Sequence, residues 1–326
     1  MPRTYYTIDI LKFVCAILIV FIHTYNNEWE TGKWFVGAIC NIAVPYFFIT
    51  SGFFFTKGIL RNQIKGEERQ YFMKYFKRIV GMYAIWSILT IPIAWMIIER
   101  AHGDYSLIMK SAYFIRLIVF TGSIGIYWYI LALIYDCVII YYAHKKKADV
   151  LLIITAIAFW IIGCIYNSPY NNGNLLFESI HVIFGSERNF LNVGLLYMTI
   201  GYLFAKNEQK IQFNTYWLII AFIVAIGCRT AEIEYINTNI FQAIEAILLF
   251  LIGINSSFKL RNQTNEVREL STAIYLEHFP FILLFDFYLK KGTVLDFSAT
   301  LIFSFIFYWM IKKTLPQKYY KIMYGG

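Results

Sequence analysis

A lysine and a histidine lie eleven residues apart in the first apolar segment of the chain, at Lys12 and His23. On an α-helix, eleven steps of about 100° return to within about 20° of the starting direction, so both side chains face one side, about 16 Å apart along the axis. Asp9 precedes Lys12 by three residues and can pair with it. Because ionisable side chains are costly within hydrocarbon, their presence in such a segment indicates a functional site.

The imidazole of His23 has the chemistry of a general base toward a hydroxyl group, since an ordinary histidine pKa is about 6.5. A structural interpretation explains the same residues. In that interpretation Lys12 extends toward the inner membrane surface and His23 is a polar cap at the outer end of the helix. These residues alone leave both interpretations open.

Further ionisable residues interrupt later apolar segments. Glu277 and His278 are adjacent, and adjacent residues diverge by about 100° around a helix, so they need different partners. We expect one of them to face the interior. The other intramembrane carboxylates are most simply helix–helix hydrogen-bonding groups; they are Asp136, Asp286 and Glu245, of which Glu245 is the most central.

A pair of small residues, Ser51-Gly52, lies within an aromatic run. It permits the close approach of another backbone or a break in the helix, and Pro45 weakens the helical hydrogen bonds before it. Small-residue packing between helices explains the pair equally well.

A basic cluster at Lys74, Lys77 and Arg78 shares one helical face, because its members are spaced i, i+3 and i+4. This is a geometry for holding a phosphorylated cytosolic molecule such as coenzyme A. An ordinary positive-inside anchor has the same appearance.

The elements that position these residues are predicted to be transmembrane helices. The chain of 326 residues is 59% hydrophobic and 15% charged, which is too apolar for an ordinary soluble domain. About 20 apolar residues cross a bilayer. Ten segments qualify, at residues 6–25, 34–56, 78–98, 124–143, 149–166, 190–205, 213–228, 237–255, 271–289 and 293–313.

With both termini in the cytoplasm, most of the 29 Lys and Arg residues lie on the inner side, as the positive-inside rule requires. We therefore predict an all-α integral membrane bundle of about ten transmembrane helices, a single domain over 1–326, in the plasma (inner) membrane. Two long outer connections, 99–123 and 167–189, are candidate lids or re-entrant segments.

The net charge of +9 does not indicate nucleic-acid binding, because the basic residues form short clusters between apolar segments, where membrane lipids explain them. The five cysteines occur singly and without metal-ligand spacing, so we expect core residues and no metal site. No inverted repeat of the transporter type is visible.

The order of these features resembles the acyltransferase family 3, multi-pass membrane O-acyltransferases whose bacterial members acylate surface glycans. The matching features are Asp9-x-x-Lys12 with His23, the run 45–54, the cluster 74–78, Tyr127-Trp128-Tyr129-Ile130-Leu131-Ala132, Gly194-Leu195-x-Tyr197-x-x-x-Gly201-Tyr202 and Tyr275-Leu276-x-His278. Residues 43–52 look especially like the membrane domain of vancomycin-resistance serine racemases, which belongs to the same family. The appended racemase domain is not among these residues, so we expect neither racemisation nor serine uptake.

The chain departs from the family pattern at two places. The family usually has arginine where Lys12 stands, and an Arg-x-x-Arg pattern where this chain has Lys74-x-x-Lys77 followed by Arg78. Lysine keeps the charge but lacks the planar bidentate fork of arginine. A phosphate-binding role is therefore retained with a different geometry.

The resemblance implies transfer of an acyl group, most simply acetyl, from cytosolic acyl-CoA to a hydroxyl of an extracytoplasmic glycan or lipid-linked sugar. Lys12, fixed by Asp9, would polarise the thioester, and His23 would deprotonate the acceptor or relay the acyl group. The basic cluster would bind the donor phosphates. A channel would be lined by Ser51, Gly52, Trp128, Glu245, Glu277 and His278.

Two other functions remain as alternatives. One is a transporter or flippase for a polar small molecule or glycan, which would use the same charges as a binding site or proton relay. The other is an inert membrane partner of another enzyme. No fused hydrolase-like domain is visible, so we expect the membrane unit to finish the transfer itself or to pass the acyl group to a separate partner.

Overall fold

The computed structural model describes residues 5–25, 30–166, 188–231, 238–256, 264–285 and 294–324. These residues form helices and contain no strand, so the predicted all-α fold is confirmed for this part of the chain. The helices are α1 Tyr6–Thr24, α2 Glu30–Ala38, α3 Ala43–Gln63, α4 Glu68–Leu89, α5 Ile91–Ala101, α6 Leu107–Arg116, α7 Trp128–Lys145, α8 Asp149–Tyr166, α9 Leu195–Lys206, α10 Thr215–Ala231, α11 Thr238–Asn255, α12 Thr264–Phe285, α13 Val294–Thr314 and α14 Gln317–Tyr324.

Short helical turns of other types complete the described chain. Three are 3₁₀ turns, at Cys40–Ile42, Gly125–Tyr127 and Glu208–Lys210. Two are π turns, at Leu117–Thr121 and Phe190–Gly194. Turns of the 3₁₀ type are usual at helix ends and connections, whereas π turns are rare.

Several helices are long and apolar enough to cross a bilayer. By length and composition there are four such stretches among the described residues, Tyr6–Thr24, Trp34–Gln63, Leu107–Lys145 and Val294–Thr314. A fifth results if α4 and α5 form one bent span. Shorter apolar helices occupy Asp149–Ile165, Phe190–Lys206, Thr215–Thr230 and Asn239–Asn255. The total of ten spans and the cytoplasmic placement of both termini stay predictions.

Three details differ from expectation. The predicted span 78–98 is not straight, because α4 ends at Leu89 and α5 continues at an angle of 61°. Pro92 lies in the first turn of α5, where its missing N–H is tolerated but would have interrupted a continuous helix. Pro45 is likewise in the first turn of α3, so it begins that helix rather than weakening it.

The predicted outer connections have different outcomes. Within 99–123 the chain forms α6 and the π turn that follows it, so the apolar piece of this connection is helical. Most of 167–189 lies outside the described residues.

The described helices fall into two compact units. The first unit comprises Met1–Thr50 with Asn207–Gly326, and the second comprises Ser51–Lys206, so α3 contributes to both. In the first unit, α1 packs against α12, α11, α13 and the turn Cys40–Ile42. In the same unit, α10 packs against α11.

The last helix, α14, folds back along α12. The hydroxyl of Tyr320 donates to Glu269, with 2.6 Å between the oxygens, and that of Tyr324 donates to Glu277. Glu269, which precedes the predicted span 271–289, also accepts from Lys312 at 3.2 Å. Burial raises the pKa of the Glu269 carboxyl, but the hydrogen bonds from Tyr320 and Lys312 outweigh this and leave its pKa below the ordinary value.

In the second unit, α7 packs against α4, α8 and α9. Phe72 of α4 stacks on Tyr141 of α7, with the ring centroids 4.1 Å apart. At the far end of α7, His144 lies 3.3 Å from the hydroxyl of Tyr202 and 3.2 Å from the side-chain oxygen of Gln63. These aromatic and polar contacts tie α3, α4, α7 and α9 together.

Candidate active site

The first helix presents the three residues that the sequence singled out. Asp9, Lys12 and His23 all lie on the uninterrupted α1 and are partly buried. The charge of Lys12 is close enough to act on the Asp9 carboxyl group, and the pairing of the two side chains stays a prediction. Arg268 of α12 is a second cation close enough to act on Asp9. The sequence gives no signal for this second cation, since it lies more than 250 residues away along the chain.

A line of aromatic contacts leads from Lys12 to His278. The ammonium of Lys12 lies 5.9 Å from the ring centroid of Phe47, at the start of α3. The ring of Phe47 is 6.3 Å from that of Tyr275, which is 6.1 Å from that of His278. An ammonium at this distance from a ring face is attracted by its quadrupole. In the first unit, ring contacts between α3 and α12 thus link the cation of α1 to His278.

His23 meets His278 where α1 packs on α12. The two imidazole centroids are 5.3 Å apart and the ring planes are tilted by 35°. Phe279 also contacts His23 in an edge-to-face arrangement, with 5.9 Å between the two ring centroids. The structure therefore brings together two imidazoles that are distant in the sequence. Of the adjacent pair in the ninth predicted span, His278 is the residue that faces α1.

The carboxylate next to His278 has a different partner, as the helical geometry required. Glu277 is buried and accepts the hydrogen bond from Tyr324 of α14. Glu245 of α11 is also buried, and its carboxylate forms an ion pair with the buried Arg229 of α10. Both carboxylates connect helices of the first unit. Their predicted place in a substrate channel stays a prediction.

In the second unit, three of the sequence motifs converge. The hydroxyl of Ser51 on α3 is 3.0 Å from that of Tyr129 on α7. A Cβ added at Gly52 would overlap the backbone oxygen of Met198 on α9. The close approach predicted for Ser51-Gly52 is therefore confirmed, whereas a break is not present, since α3 continues through both residues.

Trp128 is the first residue of α7, and a glycine with a positive φ precedes it in the connecting turn. Gly122 has a φ of +90°, and a Cβ there would lie 2.7 Å from the backbone nitrogen of Trp128. A side chain at this position would be strained by both its conformation and its neighbours. The turn that leads into Trp128 therefore requires a glycine at position 122, which lies outside the motif of residues 127–132.

The basic cluster lies on α4, with Lys74, Lys77 and Arg78 exposed on the second unit. The guanidinium of Arg78 is 5.0 Å from the ring centroid of Tyr75. Exposed cations on one helical face are available to an anionic ligand, and the donor-binding role of this cluster stays a prediction. Among the described residues, no group of His, Cys, Asp and Glu side chains is arranged to hold a metal ion.

Comparison with known proteins decides the family. A family model described as an acyltransferase domain matches residues 5–313, nearly the whole chain. The chain belongs to the acyltransferase family 3. The resemblance inferred from the motifs is confirmed, and membership of this family together with the membrane-length apolar helices identifies an all-α membrane protein.

Two curated relatives are each named amino-acid racemase and come from Enterococcus faecalis. One is 26% identical over 256 residues, which cover 76% of this chain and 34% of the relative. The other is 21% identical over 322 residues, which cover 92% of this chain and 45% of the relative. The chain thus spans between a third and a half of the length of these relatives. No solved structure gives a significant match.

Proposed function

We propose that this member of the acyltransferase family 3 is a plasma-membrane O-acyltransferase. It transfers an acyl group, most simply acetyl, from cytosolic acyl-CoA to a hydroxyl of an extracytoplasmic glycan or lipid-linked sugar. The observation that supports this most strongly is the first unit's arrangement of Lys12 and His23 on one helix, with the ring of Phe47 at the cation and a second imidazole beside His23. A cation and a base on one side of α1, about 16 Å apart, can act on the donor and on the acceptor of an acyl transfer.

The proposed step needs no group beyond donor, acceptor and protein. The acceptor O–H bond breaks as its oxygen forms a bond to the acyl carbonyl carbon, and the proton goes to the imidazole of His23. The ammonium of Lys12, whose Cα lies about 16 Å from that of His23 along α1, attracts the donor and polarises its thioester as it enters. When the tetrahedral adduct collapses, the C–S bond breaks and the proton passes from His23 to the coenzyme A sulfur. A relay through an acyl-imidazole at His23 gives the same products.

Asp9 has a supporting part in this proposal. Its carboxylate is opposite in charge to Lys12 and Arg268, both close enough to act on it, so it favours the packing of α1 on α12. A cation that is already paired costs less free energy to place in an apolar helix than an isolated one. Asp9 therefore keeps Lys12 in position without neutralising its effect on the donor.

The experiment that tests the proposal follows the acyl group. Membranes containing the protein are incubated with acetyl-CoA radiolabelled in the acetyl group and with envelope glycan extracted from the source cells. We expect alkali-labile label on the glycan, and one coenzyme A thiol released for each ester formed. Movement of glycan across the membrane without consumption of acetyl-CoA would instead identify a transporter.

The donor-binding role of the basic cluster makes a separate prediction. Replacing Lys74, Lys77 and Arg78 together by glutamine removes three exposed cations from one face of α4. Since phosphate binding rests on charge-assisted hydrogen bonds, we expect the KM for acetyl-CoA to rise about 10–100-fold while kcat changes little. The KM is measured in the assay described above.

A matched control exists for this variant. Lys145, Lys146 and Lys147 form another exposed run of three cations in the second unit. Their replacement by glutamine removes the same charge and should leave the KM for acetyl-CoA within about 2-fold of the original. Equal increases in both variants would show that only general surface charge matters and would remove the cluster from donor binding.

A further inference from the structure

The hydrogen bonding of His278 fixes which of its nitrogens is a base. His278 is fully buried, and its Nδ1 lies 3.0 Å from the backbone oxygen of Ile274, one turn earlier on α12. A carbonyl oxygen only accepts, so Nδ1 carries the hydrogen and donates. In the neutral ring, the lone pair is therefore on Nε2.

That second nitrogen is buried and has no hydrogen-bond partner within the described part of the chain. Burying an acceptor without a partner costs free energy. An apolar residue of similar size would pack between α1 and α12 without this cost. The histidine is thus poorly explained by packing alone.

The group best placed to use this lone pair is His23. A separation of 5.3 Å between the two centroids leaves about one hydrogen-bond length between facing ring nitrogens. The helices that bear the two rings pack directly against each other, so the separation is set by α1 and α12 rather than by a loop.

We propose that His278 is a positioning residue for His23: its Nε2 accepts an N–H of His23 and so leaves the other His23 nitrogen unprotonated toward the acceptor hydroxyl. This inference rests on the proposed function and names a second imidazole within it. When His23 takes the acceptor proton, the same bond becomes charge-assisted and strengthens. The proton stays on His23 until it passes to the coenzyme A sulfur, and His278 itself exchanges no proton.

The neighbours of His278 on α12 show how the helix separates this task from others. Tyr275, on the same side, lies between His278 and Phe47. Glu277 points elsewhere and is bonded to Tyr324. The Glu277 carboxylate is thus engaged with α14, whereas His23 is contacted from α12 by the imidazole of His278 and the ring of Phe279.

Kinetics of variants test the inference. We expect His278→Leu to lower kcat about 10–100-fold, as the loss of an orienting partner typically does, with the KM for acetyl-CoA within about 2-fold. His278→Gln, which retains a donor and an acceptor, should recover part of this loss. In a His23→Ala background, His278→Leu should cause no further decrease. Leu284→Ala, an exposed position on the same helix, is the matched control and should leave kcat unchanged.

Two kinetic outcomes would overturn the inference: a wild-type kcat in His278→Leu, or an equal decrease with and without His23. If His278→Leu does not fold, as judged by its size-exclusion profile, His278→Gln alone in both backgrounds gives the same comparison. Loss of the coupling between the two positions in that comparison would also contradict the inference.

A spectroscopic measurement separates this inference from the proposed function. The chain has five histidines, so ¹⁵N NMR of protein labelled at histidine should resolve their tautomers, with signals assigned by the variants. We expect a neutral His278 protonated at Nδ1 and a change in the His23 signal in His278→Leu. A His23 signal that does not respond would refute the pairing even in an active enzyme. A responding signal in a protein without transferase activity would refute the proposed function and leave the pairing intact.

Discussion

Among single residues, Lys12 matters most to the proposed acyl transfer, because it places a positive charge within an apolar helix. Lys12 lies over the ring of Phe47 and is attracted by Asp9, so its charge is compensated on two sides. Such compensation reduces the cost of burying the ammonium without removing its field from the donor. Lysine offers this charge as a compact point, whereas arginine would spread it over a planar fork.

Replacing Lys12 tests the role of that charge. We expect Lys12→Met to lower kcat about 10²–10³-fold, because the donor thioester loses the cation that polarises it. Lys12→Arg should retain activity within about 10-fold of the original, since the charge is kept. The initial rate of ester formation is measured at equal protein abundance.

Val14 provides the control for the Lys12 variants, because it is on the same helix and 43% exposed. Val14→Ala should leave the rate unchanged. If Lys12→Met were as active as Val14→Ala, the cation would be a structural feature of α1 and would have no part in the reaction.

The residues of α1 were predictable because their relation is local. The spacing of Lys12 and His23 fixes a shared direction on any helix, and the apolar run around them guarantees that helix. The partners from α12 could not be placed in the same way. Arg268 and His278 reach Asp9 and His23 through the packing of two helices, and the spacing within each helix does not specify that packing.

At the scale of elements, the second unit depends on the close approach of α3 and α9. The backbone oxygen of Met198 occupies the space where a side chain at Gly52 would begin. On the same turn of α3, Ser51 bonds to Tyr129 of α7. A glycine and a small hydroxyl residue thus let three helices meet, which is the usual role of small residues between membrane helices.

Gly52→Ala should therefore destabilise the protein. The added methyl group would overlap a backbone atom, which cannot rotate away, so α3 and α9 must separate. We expect a loss of about 1–3 kcal/mol in the free energy of unfolding, seen as a lower melting temperature of the detergent-solubilised protein.

Gly227 is the matched control for this substitution. It lies within α10, and a Cβ there would have no heavy atom within 4 Å. Gly227→Ala should leave the melting temperature unchanged or raise it slightly, since alanine has the higher helix propensity. An unchanged melting temperature in Gly52→Ala would contradict the close packing of α3 on α9.

The bend between α4 and α5 shows where local prediction of an element was insufficient. The hydropathy of residues 78–98 is continuous, so a single span was expected. Pro92 indicates an interruption of this helix, but a proline either kinks a helix or begins a new one, depending on the surroundings. Here Thr90 bonds back to the carbonyl oxygen of Trp86 at 2.7 Å and α4 ends beside it.

At the scale of the whole molecule, the charges are distributed between two compact units. The first unit contains the imidazoles, Lys12 and the Glu245–Arg229 pair, and the second contains the exposed cluster of α4. The first unit is completed by α14, which returns along α12 to reach Glu277. The family and the all-α class were predictable from composition and ordered motifs. This return was not, because α14 is short and has no apolar run.

The proposed function assigns opposite sides of the membrane to donor and acceptor. In this proposal, His23 takes the proton from the acceptor hydroxyl while the acyl group crosses the membrane. This step is tested most directly in sealed inverted vesicles, with labelled acetyl-CoA added to the exposed cytoplasmic face and glycan acceptor in the lumen.

The measurement is the initial rate of alkali-labile ester formation in the lumen for the wild type, His23→Ala and Val14→Ala at matched abundance. We expect His23→Ala to lower this rate by about 10²–10⁴-fold, the usual contribution of a general base, and Val14→Ala to match the wild type. Ester formation by His23→Ala at the wild-type rate would show that His23 is not the general base of the reaction.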